Sequence, residues 1–140
     1  MPSPTKLQIF TRDLAAGSHK FGTDVFKIML TNTAPVAATS AIKANITEIA
    51  AGNGYVAGGP TVATTLTKSA GVAKVVVADT VITATGAVGP FRYAVLYNGT
   101  TASPLNPLIA WIDYGSAITM ANGDTFTVDF DNALGMFTVT

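Results

Sequence analysis

The stretch that decides the fold of this chain is TFTVDF at residues 125–130, in which polar and apolar residues alternate. Successive side chains of a β-strand point to opposite faces, so Phe126, Val128 and Phe130 share one face and the polar residues share the other. A strand of this kind has one face packed on a core and one face in solvent. The pattern therefore predicts a half-buried strand of an antiparallel sheet.

Short apolar segments of the same kind recur along the chain, separated by turns rich in glycine, proline and asparagine. Residues 41–49 fit either a short helix or an edge strand, and we interpret residues 13–22 as a loop. The dipeptide Asn122-Gly123 predicts a hairpin turn just before the strand at 125–130. We expect strands at residues 6–11, 24–31, 61–67, 72–78, 91–98, 108–114, 125–130 and 136–140. Residues 81–85 either extend the strand at 72–78 or form a short strand of their own.

Closely spaced short strands without a long helix are typical of β-sandwiches and barrels. We therefore predict an all-β fold, a jelly-roll-like antiparallel β-sandwich, with an immunoglobulin-like sandwich as the alternative. The length of 140 residues suits a single domain over residues 1–140. We expect residues 1–5 to form a flexible N-terminal arm.

The charge of the chain argues against several kinds of partner. The formal net charge is zero and only 11% of residues are charged, so a clustered basic surface for nucleic acid is not expected. No stretch has the length and apolarity of a signal peptide or a membrane span. We expect no nucleic acid, membrane or small-molecule partner, and synthesis and retention in a cytoplasm.

Reactive side chains are scarce, and those present are scattered. The chain has one histidine, His19, and no cysteine. No serine of the chain stands in a recognisable nucleophile context, and the glycine-rich stretch 52–59 lacks the Lys-Ser/Thr pair of a phosphate loop. The spacing of Asp124, Asp129 and Asp131 fits no calcium-loop signature. We therefore predict no catalytic site, no metal and no cofactor.

A row of aromatic residues occupies the predicted strand at 91–98. Alternation places Phe91, Tyr93, Val95 and Tyr97 on one face, where such a row is usually part of the core. Trp111 is expected to pack in the core as well. Exposed aromatic residues could instead stack sugar rings or unpaired bases.

Four longer segments carry a resemblance to a known family. They are DVFKIMLTN at 24–32, ITEIAAGNGY at 46–55, GPFRYAVLYN at 89–98 and LIAWIDYG at 108–115. These segments resemble small virion proteins of tailed bacteriophages, above all the head-decorating cement proteins of the Bordetella podophage type. The resemblance extends over most of the chain, about residues 6–130, and it contains no catalytic signature.

The resemblance implies a non-enzymatic capsid decoration protein of the virion. Such a protein has a jelly-roll-type fold, is a homodimer, and binds outside the shell of the major capsid protein, where it bridges neighbouring capsomers. It would be located on the capsid exterior, and in the host cytoplasm during assembly. The resemblance assigns no functional residue.

Exposure and flexibility suggest which segments contact the partner: the arm and the loops at 52–59 and 100–107. The candidate contact residues are Met1, Pro2, Ser3, Pro4, Asn53, Tyr55, Pro104 and Asn106. One alternative function is a tail- or fibre-associated β-domain that binds host carbohydrate. Another is a small virion hydrolase that uses Asp13, Asp113 or Glu48 as acid and base.

Overall fold

The computed structural model describes residues 3–131 and 135–139. Most of its regular structure is β. The elements in chain order are β1 (Thr5–Lys6), α1 (Gln8–Ala15), β2 (Phe26–Thr31), a 3-10 helix (Lys43–Asn45), β3 (Thr61–Val62), β4 (Thr64–Ser69), β5 (Val72–Val77), β6 (Thr80–Thr83), β7 (Val88–Asn98), β8 (Leu108–Met120), β9 (Thr125–Val128) and β10 (Phe137–Val139).

The strands form antiparallel sheets that pack face to face. The large sheet has the order β1-β8-β7-β2-β3, and the smaller sheets have the orders β10-β5-β4 and β6-β9. Phe26 of the large sheet, Val75 of the three-stranded sheet and Val128 of the two-stranded sheet belong to one buried apolar cluster. The predicted all-β sandwich is confirmed.

Alternation identifies the buried faces correctly where a strand is regular. Phe26, Ile28 and Leu30 of β2 all contribute to the core between the sheets. Val128 and Phe130 are buried and Phe126 packs against them, whereas the polar residues between them are exposed. Each fully buried side chain of this size contributes about 1.5–3 kcal/mol to stability.

A second, smaller apolar cluster lies on the opposite face of the large sheet. Met29, Val95 and Leu108 point to this side and pack with Ile46, which follows the 3-10 helix. Besides Leu7 and Ile9 at the start of α1, the segments that cover the cluster are connections rather than strands. We call residues 32–60 and 99–107 the loop layer. The layer is joined by backbone hydrogen bonds such as Lys43 N–H to the Asn106 carbonyl at 2.9 Å.

The predicted first strand at residues 6–11 is wrong for most of its length. Only Thr5–Lys6 is extended, and it pairs with Trp111 and Ala110 of β8, so Thr5 is held in a sheet rather than in a flexible arm. Helix α1 follows, with Phe10 and Asp13 buried. A buried aspartate at the helical spacing hides the apolar periodicity, which is why the pattern gave the wrong element.

The turn at Asn122-Gly123 forms, but it does not make the predicted hairpin. Asp124 N–H donates to the Ala121 carbonyl at 3.0 Å. Gly123 has a positive φ of 89°, whereas the φ of Asn122 is not positive, as in a type II turn. A hairpin of this length prefers positive φ at both central residues. The turn instead carries the chain from β8 to β9, which pairs with β6 in another sheet.

The predicted aromatic row does not stay on one face, because β7 and β8 are irregularly paired. Register shifts lie between Val88 and Phe91 and between Phe91 and Tyr93. Phe91 joins the core between the sheets, whereas Tyr97 joins the cluster under the loop layer. Their burial is as predicted, and Trp111 is half-buried at the edge of the second cluster.

Candidate protein-contact surface

Glu48 holds the first predicted contact loop against the large sheet. One carboxylate oxygen, Oε2, accepts hydrogen bonds from the Tyr55 hydroxyl at 2.5 Å and from Gly58 N–H at 2.7 Å. The other oxygen, Oε1, lies 3.4 Å from the Lys43 ammonium. A carboxylate that bonds to groups on both sides of a loop fixes its path.

Tyr55 is a core residue and not a surface contact. Its side chain is 2% exposed, and its hydroxyl oxygen accepts the Leu30 N–H of β2 at 3.0 Å. Burial raises the Tyr55 pKa far above its usual range, and the hydrogen bond to Glu48 raises it further. Tyr55 is therefore too buried to be one of the contact residues expected in the loop at 52–59.

Tyr97 of β7 forms a second anchor for the same loop. Its hydroxyl donates to the Gly58 carbonyl at 2.5 Å. Burial, and to a smaller extent the charge of Glu48, raises the Tyr97 pKa to about 12. Gly58 is thus held on both its N–H and its carbonyl, and the loop is not the flexible turn that its glycine content suggests.

Gly59 allows the loop to lie directly on β2. Its φ is +82°, and a Cβ atom at this position would lie 1.6 Å from the Ile28 carbonyl oxygen. Only glycine permits both this backbone conformation and this approach. The loop therefore depends on Gly59 for its contact with the sheet.

Asn53 and Val56 are the largest exposed side chains of the first loop. Asn53 is exposed, has a φ of 55°, and its Nδ2 donates to the Ala87 carbonyl at 2.9 Å. Val56 is 57% exposed. The loop thus presents an apolar side chain from a backbone that is fixed on both sides.

Asn98, at the end of β7, plays the corresponding role for the second loop. Its Oδ1 accepts the backbone N–H groups of Thr100 at 2.9 Å and Thr101 at 3.3 Å. Its Nδ2 donates to Asp24 Oδ2 at 2.8 Å and contacts His19 Nδ1 at 3.2 Å. Asn98 is fully buried, so the start of the 100–107 loop is tied to the protein interior.

The tip of the second loop places Leu105 in solvent. Leu105 is 59% exposed, and the predicted contact residues on either side, Pro104 and Asn106, are half-buried. Asn106 N–H donates to the Thr101 carbonyl at 3.1 Å and closes the loop. Leu105 is the most exposed large apolar residue of this loop, and no pattern in the sequence distinguishes it.

His19 belongs to the interior rather than to a reactive surface. Asn98 Nδ2 is a donor, because the Asn98 Oδ1 accepts from backbone, so His19 Nδ1 accepts and the proton is on Nε2. The side chain is 5% exposed. Burial lowers the His19 pKa, and the charges of Asp13 and Asp24 oppose this shift. The histidine is therefore neutral at pH 7.

The predicted N-terminal contacts are only partly within the described residues. Ser3 and Pro4 are exposed, and Pro4 borders a small apolar pocket of about 60 Å³ with Phe10 and Phe137. Met1 and Pro2 lie outside the described residues.

Three connections of the loop layer share one composition. Residues 32–40, 52–60 and 99–107 contain no charged side chain, and each presents one large exposed aliphatic residue. These are Val36 at 53%, Val56 at 57% and Leu105 at 59% exposure. Uncharged surfaces with apolar side chains at their centre are typical of protein interfaces.

The acids proposed for a hydrolase are each bound to a different partner. Arg92 Nε donates to Asp113 Oδ1 at 2.8 Å; this bond lowers the Asp113 pKa and raises the Arg92 pKa. Arg12 pairs with the buried Asp13 at 3.2 Å, and Glu48 accepts hydrogen bonds from Tyr55 and Gly58 of the first loop. Within residues 3–131 and 135–139, no group of three or more histidine or acidic residues could hold a metal ion.

Glu48 and Asn98 are the residues that sequence reasoning missed as organisers of the contact loops. The sequence pattern suggests Glu48 only as a catalytic acid. Each lies a few residues outside the glycine- and proline-rich segment that it anchors. A lone polar residue at such a boundary is the signal that could have identified them.

Comparison with known proteins gives no relative for this chain. No protein-family model, no curated protein and no solved structure matches it. In the described part of the chain, no helix has the length and apolarity needed to cross a membrane.

Proposed function

We propose that this chain is a non-enzymatic virion protein that decorates and stabilises the capsid of a tailed bacteriophage. It binds the major capsid protein from outside and bridges neighbouring capsomers as a homodimer. The resemblance of residues 24–32, 46–55, 89–98 and 108–115 to phage cement proteins supports this proposal.

The observation that carries the proposal is the construction of the loop layer. Val56 and Leu105 are exposed on loops that Glu48, Asn98 and buried tyrosines fix to the large sheet. Apolar side chains on rigid loops lose little conformational entropy on binding. Such a surface fits a tight, desolvated seat on another protein better than an encounter steered by charge.

Stabilisation of the shell then follows from mass action. A protein that binds only the assembled, expanded shell shifts the equilibrium toward that state. A dimer placed across a seam contacts two capsomers at once, and linking two modest contacts raises avidity by about 10²–10⁴-fold. The reinforced places are the seams, where internal pressure would separate the capsomers.

Binding of purified chain to capsids that lack it tests the proposal. Val56→Asp and Leu105→Asp place a charge in the contact surface and are expected to reduce co-sedimentation with expanded heads at least about tenfold. Val81→Asp is the matched control, because Val81 is 58% exposed and belongs to β6 rather than to the loop layer. Its binding should equal that of the unchanged chain.

The outcomes separate the proposal from its rivals. Failure of the unchanged chain to bind empty or filled heads at micromolar concentration contradicts capsid decoration. Equal losses for all three variants contradict the assignment of the loop layer. Cryo-electron microscopy of virions should show the β-domain at many symmetry-related seams; density confined to the tail would also contradict it.

One observation favours the alternative of a carbohydrate-binding tail or fibre domain. A polar pocket of about 320 Å³ is lined by hydroxyl side chains of Ser18, Thr100, Thr101 and Ser103, with Lys20 and Asp24. The aromatic residues that would stack a sugar ring do not line it; Tyr55, Tyr93 and Tyr97 are buried. Glycan-array binding by the purified chain distinguishes this function from capsid binding.

A further inference from the structure

Strand β4 lies at the end of its sheet with one edge unpaired. It pairs with β5 on one side, and no described strand lies on the other. The hairpin between β4 and β5 turns at Ala70-Gly71, with φ values of 51° and 79°, and places Ser69 opposite Val72. Residues that flank a two-residue turn of this kind exchange both backbone hydrogen bonds.

The register of this hairpin determines which backbone groups of β4 are free. Hydrogen-bonded residues alternate along an antiparallel pair, so Ser69, Thr67 and Thr65 bond to β5. The bond from Ala78 N–H to the Ala63 carbonyl at 2.9 Å continues the same alternation. The N–H and carbonyl groups of Thr64, Leu66 and Lys68 therefore point away from β5, toward the open edge.

Of the outermost strands of the three sheets, β4 is the longest. The outer strands of the large sheet, β1 and β3, have two residues each; β10 has three, and β6 and β9 have four each. β4 has six residues, of which all but Thr64 are exposed. Long open edges are templates for strand addition, and proteins usually cover or shorten them.

We propose that a second copy of this chain pairs antiparallel with the β4 edge, so that Leu66 lies opposite Leu66 of the second copy. Thr64 then lies opposite Lys68 of the second copy, and Lys68 opposite Thr64. The outward-pointing backbone N–H and carbonyl groups of all three residues are then paired in both strands, which makes about six backbone hydrogen bonds. The two small sheets join into one continuous sheet through a twofold axis.

Side chains and charge favour this register over its neighbours. Pairing centred on Lys68 would set two ammonium groups opposite each other, whereas centring on Leu66 separates them by about 14 Å along the strands, beyond the screening length of ~8–10 Å. Leu66 is 49% exposed and borders an apolar groove of about 220 Å³ with Phe21, Val75 and Phe137. Pairing covers the Leu66 side chain. Because the net charge of the chain is zero, no overall electrostatic repulsion opposes the association of the two copies.

This inference rests on the proposed function for its dimer and adds the surface through which the dimer forms. It uses no residue of the loop layer, which stays free to contact capsid. The pairing can be tested on the purified full chain without capsids.

Cysteine cross-linking reads the register directly, because the chain contains no cysteine. Opposed, hydrogen-bonded residues have Cα atoms about 5.5 Å apart, within disulfide range, so Leu66→Cys should form a covalent dimer on mild oxidation. In the same register Thr67 lies opposite Thr65, which leaves Thr67 about 7–8 Å from its own copy. Thr67→Cys and Val81→Cys, both at exposed positions, are the controls and should give at least about tenfold less dimer.

A second measurement uses charge at the same position. Leu66→Asp and Leu66→Lys should each sediment as a monomer, and their mixture should sediment as a dimer, because position 66 faces itself across the axis. Cross-linking of Leu66→Cys no faster than Val81→Cys, or a mixture that stays monomeric, overturns the edge pairing. If Leu66→Cys binds capsids but does not cross-link, the edge pairing is wrong and the proposed function stands. If it cross-links but does not bind capsids, the proposed function is wrong and the edge pairing stands.

Discussion

Replacing Tyr55 with phenylalanine tests whether the first contact loop is fixed as described. The substitution keeps the ring in the core and removes only the hydroxyl. That hydroxyl accepts the Leu30 N–H at 3.0 Å and donates to Glu48 at 2.5 Å. Its removal leaves a donor of β2 without a partner and takes one hydrogen bond from a carboxylate.

The expected loss follows from these two contacts. A buried N–H left unpaired costs about 1–3 kcal/mol, and a hydrogen bond to a charged group is worth about 1.5–3 kcal/mol. The Glu48 side chain is 17% exposed and keeps its bond to Gly58 N–H, so water replaces part of the second contribution. We expect Tyr55→Phe to lower the free energy of unfolding by about 2–4 kcal/mol.

Urea unfolding followed by circular dichroism measures this change, with the slope against urea unchanged if the same surface is exposed. Tyr97→Phe is the matched control. Its hydroxyl makes one hydrogen bond, to the Gly58 carbonyl, so its loss should be near 1 kcal/mol. A Tyr55→Phe loss below about 1 kcal/mol, or one no larger than that of Tyr97→Phe, would refute the two-contact reasoning.

Two further predictions concern stability. Gly59→Ala should lower the free energy of unfolding by more than about 3 kcal/mol, because its Cβ would lie 1.6 Å from the Ile28 carbonyl oxygen. Gly17→Ala, at a φ of +81° with open space around it, should cost only about 1–2 kcal/mol in thermal or urea unfolding; equal losses would contradict the close approach. Since burial lowers the His19 pKa, the unfolded chain takes up a proton that the folded chain does not, and stability should fall as pH drops below about 6.5. His19→Gln should flatten this dependence between about pH 7 and pH 5 in urea titrations, and an unchanged slope would contradict the assignment.

The sequence predicts the buried face of a strand correctly where that face depends only on neighbours along the same strand. Period-two alternation identified the buried faces of β2 and β9, since each face is set by the sheet pleat alone. It failed at α1, where buried Asp13 interrupts the apolar pattern, and at β7, where irregular pairing with β8 turns Phe91 to a different face from Tyr97. A bulge depends on the partner strand, which local sequence does not reveal.

Composition locates the loops of the candidate surface, but it does not predict the contacts that hold these loops in place. Glycine and proline correctly mark residues 52–59 and 100–107 as connections. Whether Tyr55 faces solvent or core depends on Glu48 and on the Leu30 N–H of β2. These contacts join segments far apart in sequence, so they appear only when the large sheet is assembled. The same holds for the edge of β4, which is open because of the strand order.

The pairing of Thr5 with Trp111 has a consequence for how the protein is made. A ribosome adds about 5–20 residues per second, so roughly 5–20 seconds separate the synthesis of these two residues. β-proteins dominated by distant pairings fold in milliseconds to seconds once complete, so chain elongation sets the pace at this edge. The first strand to emerge is thus among the last to take its place, and it must remain unpaired while β8 is still being synthesised.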